Sequence, residues 1–269
     1  MLDMAIRSEP QALKSGHTQK ALIAIRSFTI VLGATGVLWG VELVPIFHKD
    51  FAIERIATQI TAGQSYKSEA LARQLPAIQA IEQSSICRPA ALRSAAIIRL
   101  TLVENLNSSS EKSQLDENMN ALRDSVRISL SCSPSDALLW LIYYWVQTAQ
   151  SSDASNKIKY LRMSYQLGPN EAWIGVVRNR FAFAIFEQLP PDLAEDAVNE
   201  FIGMLDTGRL YRQVAEIFLG PAWRARKILL PRLASVPERE LDAFRYELGR
   251  LGYDMELPGF DKRDRRPWR

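Results

Sequence analysis

The chain opens on a long uninterrupted apolar run and then changes to a repeating pattern of apolar positions three or four apart. Between Arg26 and His48 lie twenty-one residues, 27–47, with a single charge, Glu42. At ~1.5 Å rise per residue such a helix is about 30 Å long, the thickness of a bilayer core. Glu42 falls toward the far end of the run, where a carboxylate costs less than at the centre, and Trp39 stands beside it where an interfacial aromatic belongs.

Beyond residue 47 the periodicity predicts helices throughout. Residues 50–64 form a short amphipathic segment. Residues 68–83 follow with Leu71, Leu75, Ile78 and Ile81 on one face, and Pro76 predicts a kink or break. Further helices are expected over 89–106, 114–130, 135–149, 158–167, 170–188, 190–205, 210–219, 221–233 and 237–251. Proline or glycine marks almost every junction, and polar loops fall at 107–113 and 151–155. No pair of strands is predicted.

The apolar run has three competing explanations besides a membrane anchor. A cleaved signal peptide would carry a shorter leader and an A-x-A-like site, and neither is present. A dinucleotide-binding turn is suggested by Thr29 through Gly36, which resembles the opening of short-chain dehydrogenases. The spacing of Gly33, Gly36 and Gly40 does not fit G-x-x-G-x-x-G, however, and no acidic residue stands at the ribose-binding distance. A cytosolic protein-binding module would bury 27–47 as a core helix. As a membrane helix, Gly36 and Gly40 form a G-x-x-x-G motif for close helix packing.

Helix order also suggests a repeat. Pro134 and Pro169 stand 35 residues apart, as do Ala137 and Ala172, with helix, loop and helix between them. Together with Tyr160 and Tyr165 ahead of Leu167, Gly168 and Pro169, this pattern resembles the tetratricopeptide repeat over roughly residues 89–187. The resemblance implies an α-solenoid of antiparallel helix pairs that binds protein partners, and it carries over no catalytic residue.

Composition narrows the function. The chain has 269 residues, 47% hydrophobic and 23% charged, which excludes a disordered or disulfide-dense class. Thirty-three basic against thirty acidic residues give a net charge of +3, too even for a nucleic-acid partner. The charge sits at the ends. Arg7, Lys14, Lys20 and Arg26 make the leader basic, and Lys262, Arg263, Arg265, Arg266 and Arg269 do the same for the tail. A basic leader holds its side of the span in the cytoplasm and sends the bulk of the chain outside. The expected organisation is a leader at 1–26, a transmembrane helix at 27–47, a membrane-proximal segment at 48–88, a helical-repeat domain at 89–251 and a basic tail at 252–269.

Candidate chemistry is sparse. The only histidines, His17 and His48, flank the span, so histidine-dependent triads and zinc sites are not expected in the body. No C-x-x-C or P-loop occurs, and no cofactor is expected. Asp192, Glu195, Asp196 and Glu200 recur on one helix. They keep carboxylate-dependent glycan chemistry open as an alternative, although such a spacing usually marks a solvated face. Cys87 and Cys132 flank an expected hairpin and would meet at its mouth. In an oxidising compartment their disulfide closes a loop of ~46 residues and stabilises by roughly 3–4 kcal/mol. For partner contacts, Trp140, Tyr144 and Trp173 offer aromatic surface and Arg178 and Arg180 offer charge, although an aromatic stripe at helical spacing is more often core and the arginines more often form structural salt bridges. The combined expectation is a membrane-anchored scaffold of the bacterial envelope that meets other envelope proteins, with a polysaccharide synthesis or export assembly as the first system to try.

Overall fold

The computed structural model describes residues 12–106, 112–150, 155–169, 171–254 and 257. Among these every regular element is a helix. The basic tail at 261–269, most of the polar loops and the side chains of His17, Glu42 and His48 lie outside the described residues.

The first helix, α1 (Ala12–Thr61), is 50 residues long. The expected segment 50–64 is therefore no separate element. The polar residues from His48 onward end the apolar run, but backbone hydrogen bonding does not depend on side-chain polarity and the helix continues. Its segment Leu22–Val41 has a mean hydropathy of 1.7 and is 0% buried, so a core-helix reading of this stretch does not hold. The same window is the one helix among the described residues that is long and apolar enough to cross a membrane.

Residues 68–83 form two helices, α2 (Ser68–Ala72) and α3 (Leu75–Glu82). Pro76 sits in the first turn of α3, where its missing N–H would have no partner, so it starts a helix rather than kinking one. α4 (Pro89–Glu104) and α5 (Lys112–Cys132) make a hairpin, followed by α6 (Ala137–Ala149) and α7 (Ile158–Leu167). Asp136 caps α6 by accepting from the backbone N–H groups of Leu138 and Leu139 at 3.0 and 3.1 Å. α8 (Ala172–Ala184) ends before a 3-10 turn at Phe186–Gln188, earlier than the pattern predicts. Next come α9 (Pro191–Asp206), α10 (Tyr211–Leu219), the short α11 (Arg226–Arg232) between 3-10 turns, and α12 (Glu238–Arg250).

α4 is buried on two faces. Ile53 of α1 joins Leu71, Ile78, Ile81, Leu92, Ile98 and Leu102 in one core, while Ile97 and Val103 face a second core that runs on to α12. In the second core Phe183, Phe201, Phe218 and Phe244 link α8, α9, α10 and α12 ring to ring, with centroids 5.8–6.3 Å apart.

Three contacts fix the direction of the head relative to α1. Asp50 meets Arg88, Ala57 lies near Ser94 and Ile97, and the Tyr66 carbonyl accepts from Asn105 Nδ2 at 3.1 Å. α1 and α4 are therefore parallel. The turn around Arg88 is at the base of the head, next to the apolar stretch of α1. The end of α5 and the start of α6 share this base, because Cys87 is disulfide-bonded to Cys132 and Arg93 pairs with Asp136 at 3.1 Å.

Candidate functional site

A groove of about 430 Å³ opens between the end of α1, the middle of α4 and the start of α8. Ala57 and Ile97 supply apolar wall, and Thr58, Thr61 and Ser94 supply hydroxyls. Trp173 closes one side and is 46% exposed. The Arg93 guanidinium lies 5.7 Å from the Trp173 ring centroid while also pairing with Asp136. One turn along α8, Val177 is 44% exposed and extends the apolar strip. Arg180, also exposed, pairs with Glu216 at 2.9 Å. The groove thus presents an aromatic face with an arginine held beside it, while the Thr58 and Thr61 hydroxyls donate to the Glu54 and Thr58 carbonyls at 2.8 and 2.9 Å.

The other expected contact residues do not share this surface. Tyr144 is 3% exposed and packs edge-on against Phe181, so it is a core residue. Trp140 stacks on Tyr160 at 6.0 Å and donates its indole N–H to the Pro134 carbonyl at 2.7 Å. Arg178 is fully buried, which corrects its assignment to a surface. It donates to both Glu200 carboxylate oxygens, to the Ser164 hydroxyl at 3.1 Å and to the Gly168 carbonyl at 2.8 Å, and it covers the Tyr165 ring at 4.3 Å. Asn179 adds a hydrogen bond to Glu200 at 2.6 Å. This cluster joins α7, α8 and α9.

Of the acidic stripe only Glu200 belongs to this cluster, whereas the side chains of Asp192 and Glu195 stay 62% and 54% exposed and form surface pairs. Glu200 is committed to Arg178, Glu195 pairs with Arg232 at 2.7 Å, and Asp192 pairs with Arg162. The Arg162 side chain, by hydrogen bonding, holds the Asp192 carboxyl below the usual carboxylate range. Asp196 and Glu200 line a second cleft of about 630 Å³ with Tyr165, Asn199 and Thr207. Both carboxylates project from α9, whereas a glycosidase pair flanks the scissile bond from two sides.

Gly36 and Gly40 meet nothing within 4 Å at their Cβ positions, so that face of α1 is open. Cys87 and Cys132 are bonded at the base of the α4–α5 hairpin. One groove residue, Arg93, carries no sequence signal. Arg93 reads as an ordinary charge on α4 until α8 is brought opposite it. Comparison with protein-family models, with curated proteins and with solved structures finds no match to this chain.

Proposed function

We propose that the chain is a single-pass, membrane-anchored helical adaptor of the bacterial cell envelope, with its leader in the cytoplasm and its head on the periplasmic side. The observation that carries this is the apolar stretch of α1, which is 0% buried yet continues in one helix into the head. Leu22, Ile25, Phe28, Ile30, Leu32, Val37 and Leu38 are each at least 56% exposed, an apolar surface that water does not favour and a bilayer accepts. The cationic leader supports the orientation. The Cys87–Cys132 disulfide fits an oxidising compartment.

The head supports a helical-repeat reading of the tetratricopeptide kind. α4 packs on α5, α5 on α6, α6 on α7 and α8 on α9, while α6 also touches α4 and α8. Such neighbour-to-neighbour stacking builds a surface for partners without a catalytic group. The groove at Trp173 takes a segment of another envelope protein, and a polysaccharide synthesis or export assembly is the first system to test.

A periplasm-active reporter fused after residue 269 is expected to work, and a cytosol-only reporter to fail. A photo-crosslinking residue at position 173 should capture a discrete partner that the same residue at position 246 of α12 does not. Cytosolic reporter activity, or equal capture at both positions, would overturn the reading.

A further inference from the structure

Among the exposed apolar residues outside the span, Phe51 at 62% and Ile86 at 52% stand at one level of the molecule. Asp50 precedes Phe51, and Arg88 is two residues past Ile86. The Asp50–Arg88 ion pair joins the two segments, and the Cys87–Cys132 disulfide ties the Ile86–Arg88 segment to the end of α5. Isolated exposed apolar residues are ordinary. These two are distinguished by position, because both belong to the base of the head beside the emerging anchor.

Their depth follows from helix rise. If the bilayer core takes residues 27–47, Phe51 stands about 6 Å beyond it. The polar layer on each side of the core is about 5–7 Å thick. Phe51 then lies in that layer, and Ile86 lies with it. Arg55 is exposed one turn further along the same face of α1, about 12 Å beyond the core by the same rise, and a helical side chain tilts toward the helix N-terminus, here back toward the lipid phosphates. An apolar run followed by an aromatic and then a basic side chain suits a membrane boundary. If the core ended instead at Val41, Phe51 would stand about 15 Å out, beyond the headgroups.

We propose that the base of the head is seated in the headgroup layer through Phe51 and Ile86, with Arg55 facing lipid phosphate, and that this seating sets the span at 27–47. The inference rests on the membrane-anchored reading above. Seating fixes the height of the Trp173 groove above the bilayer and restricts rotation of the head about α1.

The test uses the full chain in phosphatidylcholine–phosphatidylglycerol vesicles whose lipids carry bromine on the upper acyl carbons. Phe51→Trp and Ile86→Trp are expected to lose the added tryptophan emission to bromine, and Tyr246→Trp, on the exposed α12 face, to keep it. The difference between the native chain and Trp39→Phe reports the anchor itself. Quenching of Trp39 without quenching at 51 and 86 overturns the seating alone. No quenching at any of the three positions overturns the anchored reading as well. Hydroxyl-radical footprinting of the native chain in vesicles supplies a readout free of substitution. Phe51 and Tyr246 are 62% and 67% exposed, so after normalising to the intrinsic reactivity of each ring, lower oxidation of Phe51 than of Tyr246 supports the seating and parity overturns it.

Discussion

Arg88 donates to Asp50 Oδ1 at 2.6 Å, closing an ion pair whose side chains are 12% and 5% exposed, respectively. This contact ties the long helix α1 to the turn that begins α4. A second polar tie joins the segment just after α1 to the far end of α4, the Asn105–Tyr66 hydrogen bond. The parallel α1–α4 pair is thus held at both ends, with apolar packing between.

Removing one partner leaves a desolvated charge behind. Asp50→Ala or Arg88→Ala is expected to destabilise the head by about 3–5 kcal/mol, while the paired replacement Asp50→Leu with Arg88→Met costs much less. Thermal unfolding of the detergent-solubilised chain measures both, and equal losses for single and double variants count against a coupled pair.

The Arg178 cluster makes a sharper demand on geometry. Its guanidinium serves Glu200, Ser164 and Gly168 at once. Arg178→Lys keeps the charge but not the fork, so it should lose most of what Arg178→Ala loses, about 3–5 kcal/mol. Denaturant midpoints decide it, and a Lys variant as stable as the native chain refutes the role.

Gly168 shows why a small residue follows α7. A Cβ placed there would come within 2.6 Å of the Ala137 Cβ. Gly168→Ala should cost about 1–3 kcal/mol through overpacking, and Ala137→Gly should recover part of that in the double variant. Additive losses in the cycle would falsify the clash.

Reduction of Cys87–Cys132 frees a loop with a sequence separation of 45. The chain-entropy model sets the loss at about 4 kcal/mol. The expected outcome is a lower unfolding midpoint for Cys87→Ser with Cys132→Ser, matched by the native chain in reductant. A midpoint unmoved by either treatment contradicts it.

Alkaline pH should weaken the link between α7 and α9. Burial, followed by the nearby Glu200 carboxylate, pushes the Tyr165 phenol well above its ordinary value of 10.0. The folded chain thus keeps this proton when the unfolded chain has released it. The stability is present below pH of about 10 and is lost as pH rises from there through the folded value. Tyr165→Phe should flatten that alkaline decline in unfolding experiments between pH 9 and 11 (bounds set at about one unit either side of the unfolded value). A decline identical to the native chain's would show that other groups cause it.

Sequence alone determined the helical class, the apolar run and most helix positions, including Ile158–Leu167 to the residue. Those features depend on local propensity, periodicity and punctuation, which a chain carries within itself. It also placed Trp173 among the contact candidates and brought Cys87 and Cys132 to one hairpin mouth. Only the tertiary structure decided which side of each helix faces inward. The sequence left Arg178 and Tyr144 open between surface and interior, because a charge or a phenol at helical spacing is silent about its neighbours, and their burial required Glu200 and Phe181 from other helices. Pro76 could kink or break the helical pattern of 68–83, and in the structure the pattern breaks into α2 and α3, with Pro76 in the first turn of α3. The groove itself brings together residues from positions 57 to 173, a juxtaposition set by how the helices stack and by no motif along the chain.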